Sequence, residues 1–235
     1  MQPRRFGLIA LATDLTIEAD AARLMPEGTR LHVTRIAFDN PTTPDNLRAT
    51  APRIADAARL LVPGAALEGI GFGCTSAGAL LGDAVAQSVA QADRAEVPVM
   101  TPTAGARRAL AAMGLRRIAL LTPYLPQTTV PVRDDFAGHQ IEVVSDHSLG
   151  FADDREMAQL SPEAIFAGAA AADIVDAQAL FVSCTAVPVL PLISELEARL
   201  GKPVISANQA LFWAMLDAAR IPAAGPGALF RVRTW

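Results

Sequence analysis

The chain has 235 residues, a formal net charge of −4 and 51% hydrophobic residues. This length suits one large domain or two small ones with a real buried core. The acidic balance argues against a nucleic-acid partner. Positive charge is almost all arginine; Lys202 is the only lysine and sits in a polar turn before a strand, so Schiff-base chemistry is not expected.

The N-terminal stretch pairs Arg4 and Arg5 with a short apolar run that resembles a signal peptide. That run meets Asp14 and Glu18 instead of a small-residue cleavage site, so it reads as a buried first strand of a cytoplasmic protein. No apolar run approaches the ~20 residues of a membrane span, and no membrane association is expected. Further along, short apolar strands are expected at 5–12, 31–37, 67–72, 97–101, 117–122, 140–145, 179–183 and 203–206. Helical patterns fill 46–61, 78–94, 103–113, 162–175, 190–200 and 209–220, and Pro222–Gly227 reads as a loop. Continuous apolar strands alternating with helices indicate a parallel sheet covered on both faces, an α/β fold.

The two halves repeat. The strand beginning at Arg5 resembles the one at Arg117, Gly71–Ser76 resembles Phe181–Ala186, and Val97–Thr101 resembles Lys202–Ser206. The first pair is offset by 112 residues (117 − 5) and the cysteine pair by 110 (184 − 74). A near-constant offset implies two pseudo-symmetric, Rossmann-like lobes, each a four-stranded parallel sheet. The expected division is residues 1–104 with 208–235 for the N-terminal lobe and 105–207 for the C-terminal lobe, the last helix returning to the first lobe.

Cys74 and Cys184 are the only cysteines. Counted alone, they read as two small buried hydrophobes; no CxxC or Cys/His cluster suggests a metal site, and His32, His139 and His147 lack ligand spacing. The repeat changes that reading. Each cysteine ends the third strand of its lobe, and open α/β sheets bind ligands at the carboxyl ends of their strands. Two such lobes would bring both thiols to one interlobe cleft. Each is expected to precede a helix, whose N-terminal N–H groups would lower the thiol pKa. Backbone donors of the same turns, with the hydroxyls of Thr75, Ser76 and Thr185, could hold a carboxylate. Two thiols facing one carbon suit a two-base proton transfer; one thiolate adding covalently while the other assists is the alternative. Gly69, Gly71 and Gly73 lack the dinucleotide-binding spacing and are expected to let backbone approach a ligand or a neighbouring strand.

The strand-plus-Cys-Thr pairs and the loop Ala12–Glu18 resemble the aspartate/glutamate racemase superfamily. The likeness is nearest the branch holding maleate cis–trans isomerase, arylmalonate decarboxylase and the ectoine-utilisation A protein. The segments Leu8–Glu18, His32–Ile36, Leu121–Gln127, Asp153–Ala158 and Ser206–Ala210 are most similar to the ectoine-utilisation type. The resemblance implies a cofactor-independent, metal-free isomerase, racemase or epimerase acting on a small carboxylate, with Cys74 and Cys184 as the catalytic pair. It also implies substrate-binding roles for Asp14, Thr75, Ser76, Tyr124, Asp154, Thr185 and Ala186. Decarboxylases of this branch keep only the second cysteine, so Cys74 argues against that activity.

Two amide positions of maleate isomerases are aspartates here, in the stretches Leu11–Asp14 and Asp153–Asp154. A carboxylate repels a second substrate carboxylate but pairs with an ammonium group. An amino-acid-like intermediate of ectoine or hydroxyectoine breakdown is therefore the expected substrate. Each residue also has a plainer reading: Asp14 as a helix cap, Asp154 as a solvated loop charge, Tyr124 as a core tyrosine, Asn208 and Gln209 as caps of the last helix. A non-catalytic metabolite-binding protein is the competing function, and a homodimer is expected from the apolar content.

Overall fold

The computed structural model describes residues 3–232 and 234–235. Eight strands form two four-stranded sheets, parallel throughout. The first contains β1 (Arg4–Leu11), β2 (Thr29–Ile36), β3 (Ile70–Gly73) and β4 (Val99–Met100), in the order β2-β1-β3-β4. The second contains β5 (Arg117–Tyr124), β6 (Glu142–Phe151), β7 (Ala179–Val182) and β8 (Val204–Ser206), in the order β6-β5-β7-β8. The orders correspond strand for strand, as the internal repeat requires. The central strands are buried on both faces: β3 and β7 have no exposed residue, which is why they read as unbroken apolar runs.

The helices differ more from expectation. The pattern over 46–61 is two helices, α2 (Pro44–Arg48) and α3 (Ala51–Arg59), and each carries a proline in its first turn, where a missing N–H does no harm. The pattern over 78–94 starts earlier, as α4 (Thr75–Leu81). It breaks at Gly82, whose φ of 53° no helix continues, and resumes as α5 (Ala84–Val89). Helices also lie where no helical range was marked: a 13-residue helix at Pro126–Gly138, a single turn at Asp154–Met157, and α1 (Ile17–Leu24), whose start the helix-cap reading of Asp14 did mark.

Between the sheets runs α6 (Pro102–Met113); the Pro126–Gly138 helix is α7, followed by α8 (Asp154–Met157), α9 (Pro162–Ala172), α10 (Ile193–Leu200) and α11 (Ala207–Ala218). Ser206 caps α11 by accepting from the Gln209 N–H at 3.1 Å, and the Gln209 side chain accepts from the Ser206 N–H at 3.0 Å. Helix α11 faces two ways. Leu211, Phe212, Met215 and Leu216 pack with Phe6 and Leu8 of the first sheet and Ile17 of α1, while Ala207, Ala210, Trp213 and Ala214 join the core of the second sheet. Its backbone touches that of α6: a Cβ on Gly105 would stand 2.3 Å from the carbonyl oxygen of Ala210. Of the glycines before Cys74, Gly69 lies against Phe6 of β1 and the carbonyl of Pro98 before β4, and Gly71 and Gly73 make room for helices. A Cβ at Gly71 would meet Met215, and one at Gly73 would meet Ile17 at 2.5 Å. Among the described residues, no helix is long and apolar enough to cross a membrane.

Candidate active site

The carboxyl ends of β1, β3, β5 and β7 converge on one small cavity. Its wall comprises Asp14, Cys74, Thr75, Ser76, Tyr124, Asp154, Cys184, Thr185 and Ala186, with Leu11, Phe38 and Thr42. All nine residues named from the sequence thus meet at one place, and both thiols face it. The cavity is about 20 Å³, room for roughly one water. Among the described residues no arginine, lysine or histidine lines it.

The two cysteines are held differently, although their sequence contexts repeat. Cys74 caps α4 in an extended conformation, and its carbonyl accepts from the Gly78 N–H at 2.9 Å. Its sulfur lies 3.7 Å from the Ser76 hydroxyl. Cys184 departs from the expectation of a helix N-terminus. The chain turns through Thr185–Val189 into a short 3₁₀ turn, and α10 begins only at Ile193. The Cys184 backbone has φ of 84°, a left-handed conformation rare outside glycine.

The thiol pKa values are also opposite to expectation. Burial pushes Cys74 up to about 11; the Ala77 N–H and the Ser76 hydroxyl pull it back only in part, and the charges of Asp14 and Asp154 push it further up. Burial raises Cys184 further, against the Ala186 N–H and the Tyr124 hydroxyl, with Asp14 and Cys74 adding to the rise. Removing a thiolate from water outweighs a few N–H dipoles. In the closed cavity both groups are neutral thiols at neutral pH.

Asp14 is a helix cap and a cavity residue at once. Its Oδ1 accepts from the N–H groups of Thr16 and Ile17 at 2.8 and 2.9 Å, fixing the entry to α1. Burial nevertheless raises its pKa, offset in part by the Ile17 N–H, the Thr185 hydroxyl and the Thr16 N–H. Asp154 is 5% exposed, so it is not a solvated loop charge. Thr13 donates to its Oδ2, and Asn40 Nδ2 donates to its Oδ1 at 2.9 Å. Tyr124 is 1% exposed; its hydroxyl accepts from Ser183 at 3.4 Å and interacts with Cys184, and burial raises its pKa far above the usual phenol value.

Thr75 keeps a buried hydroxyl without a hydrogen-bond partner among the described residues, a donor aimed at the cavity wall. The carbonyls of Thr185 and Ala186 are engaged: Asn208 Nδ2 donates to Thr185 O at 2.9 Å and Thr16 Oγ1 to Ala186 O at 2.6 Å. The Thr185 hydroxyl lies 3.4 Å from Gly73 O. Asn208 is not a cap of α11; that role is taken by Ser206 and Gln209.

Sequence reasoning missed Asn40, Thr13, Thr16 and Thr42. Asn40 also donates to Asp153 at 2.9 Å, and the Thr42 N–H donates to Ala152 O at 2.7 Å, so the loop after β2 closes over the site onto the second sheet's loop. No spacing or composition marks these residues; only Asn40 before Pro41, a turn signal, hinted at a shaped loop.

Known proteins share this architecture. The maleate isomerase of Nocardia farcinica is 28% identical over 237 residues, covering 96% of this chain and 94% of that protein. The arylmalonate decarboxylase of Bordetella bronchiseptica is 30% identical over 233 residues, covering 96% and 92%. A cysteine-to-serine variant of the Nocardia farcinica maleate cis–trans isomerase, carrying a covalently bound succinylcysteine intermediate, superposes with a TM-score of 0.86 at 25% identity over 97% of this chain and 98% of that one. This likeness over whole chains makes the protein an enzyme of the isomerase class. The arylmalonate decarboxylase family matches residues 6–230, and the chain belongs to that family.

Proposed function

We propose that the protein is a cofactor-independent racemase, epimerase or isomerase that works at the carbon beside a carboxylate, with Cys74 and Cys184 as its acid/base or nucleophilic pair. The observation that carries this reading is the shared cavity: two sulfurs and two buried carboxylates line it, and among the described residues no cation does. Thr75, Ser76 and the N–H groups of the two cysteine turns would hold the substrate carboxylate. Tyr124 would donate to Cys184 or to the substrate. Asp14 and Asp154 would face a cationic nitrogen.

That nitrogen has a second use. Both thiols are neutral in the closed cavity, and a positive charge brought among them favours the thiolate. A dicarboxylate would do the reverse. The substrate class that fits is a small amino acid of the diaminobutyrate kind, an intermediate of ectoine or hydroxyectoine catabolism. In this reading residues 1–104 with 208–235 form one lobe and 105–207 the other, and the protein is a homodimer, which sizing in solution tests.

A maleate-type cis–trans isomerisation is the second reading. It is favoured by the maleate isomerases among the relatives and by the presence of both cysteines. The experiment separates the two. Candidate amino acids are incubated in deuterated water and the α-proton signal is followed, with maleate-to-fumarate conversion monitored in parallel. Loss of the α-proton signal that disappears in Cys74→Ser and in Cys184→Ser supports the proposal. Exchange unchanged in both single variants rejects the two-thiol scheme, and turnover of maleate alone selects the second reading.

A further inference from the structure

A buried polar chain outside the cavity reaches the turn that carries Cys184. Asp20 lies on α1 and is 4% exposed; Asn208 lies in the first turn of α11 and is 2% exposed. Asn208 Nδ2 has two hydrogens and both are used, one on Asp20 Oδ2 at 2.8 Å and one on Thr185 O at 2.9 Å. Facing two acceptors fixes the amide orientation. Its Oδ1 is left buried without a partner among the described residues. A leucine of similar size would avoid that orphaned acceptor, so packing α1 against α11 does not account for the asparagine.

The need for a brace follows from Cys184 itself. Its left-handed φ of 84° is strained for a residue with a Cβ. No helix continues from it, unlike Cys74, whose carbonyl is locked into α4. A strained conformation persists only where the surroundings over-determine it. Around this turn the fixing contacts come from residues remote in sequence: Asn208 on Thr185 O, Thr16 on Ala186 O and, in front, Tyr124 against the sulfur.

We infer that Asn208, aimed by Asp20, is a positioning residue that holds the 184–186 turn and so points the Cys184 sulfur into the cavity. The inference rests on the reading of Cys184 as an acting group, but its test does not require the substrate. Without the brace the turn relaxes and the sulfur samples exposed positions, while Cys74, fixed by its own helix, does not.

The test measures iodoacetamide alkylation of both cysteines in the same intact protein, resolved by peptide mass spectrometry. Asn208→Leu and Asp20→Leu are each expected to speed Cys184 alkylation about tenfold relative to Cys74, the order expected from one lost hydrogen bond to a polar partner. Asp20→Asn keeps an acceptor for Asn208 and is expected to preserve the wild-type ratio. Should Asn208→Leu not fold, the Asp20→Leu and Asp20→Asn pair carries the same comparison. An unchanged ratio in the leucine variants, or an equal acceleration of both cysteines, overturns the inference, since a general loosening of α1 and α11 exposes both thiols alike. If the ratio shifts as expected but wild-type protein turns over no carboxylate, the brace stands and the proposed function fails.

Discussion

The hydroxyl of Thr75 is 1% exposed, stands in the cavity wall and has no hydrogen-bond partner among the described residues. A buried hydroxyl left unpaired costs about 1–3 kcal/mol. Thr75→Val, similar in shape, is therefore expected to stabilise the free protein by about 1 kcal/mol in urea unfolding while weakening or abolishing turnover. A variant less stable than wild type would show that this hydroxyl has a structural partner. The contrast with Ser76, 3.7 Å from the Cys74 sulfur, separates a donor held for the thiol from one free for substrate. At this scale the sequence was informative about which residues gather and less so about what they do. The Cys-Thr repeat located the thiols because a strand end is a local feature. The direction of the pKa shifts was not legible, because burial depends on how tightly two sheets and a loop close over the sulfur.

Helices α1 and α11 bury a titrating group between them. Asp20 sits between them, and burial raises its pKa to about 6, against the Asn208 amide and the charge of Arg23, with Asp14 pushing upward. The folded state therefore prefers the protonated carboxyl. Its stability contribution is complete below the ordinary value near 3.8 and is lost as pH rises through about 6. At about 1.4 kcal/mol per unit, wild type should lose roughly 3 kcal/mol relative to Asp20→Asn between pH 3.5 and 7. Chemical denaturation of both proteins at the two pH values checks this; parallel stability curves would refute it. Helix α1 was legible only through Asp14, whose side chain caps it from two residues before its N-cap, Thr16: the start was announced and the length was not. Helix α7 was hidden by Pro126 and Pro131, which read as loop signals; the first stands in the opening turn, where proline is harmless, and the second is an internal proline that tertiary packing tolerates. Strands were easier, since a strand buried on both faces shows as an apolar run whatever its partners. The extra length of β6, to Phe151, comes from pairing along β5 through two register shifts, a property of the partner strand.

Across the whole molecule, the chain passes from the first sheet to the second through α6 and comes back through α11, and these helices meet backbone to backbone at Gly105 and Ala210. Arg108 on α6 also donates to Asp217 on α11 at 2.6 Å. A Cβ at Gly105 would press on a carbonyl, which cannot rotate away as a side chain would, so Gly105→Ala is expected to lower stability by about 2 kcal/mol in thermal or urea denaturation. An unchanged midpoint would mean that the helices separate freely. The two-sheet architecture and the convergence on one cavity followed from the repeat, because duplication fixes topology. The closure of the post-β2 loop through Asn40 and Thr42 did not, since it joins residues more than a hundred positions apart.

The seam formed by Gly105 and Ala210 has one more consequence. The two connecting helices lie side by side there, and elsewhere the halves meet through packing of α4 on α7 and through hydrogen bonds such as those of Asn40. At about 20 Å³ the cavity has no room for a metabolite as it stands, so any ligand must spread the loops that meet over it.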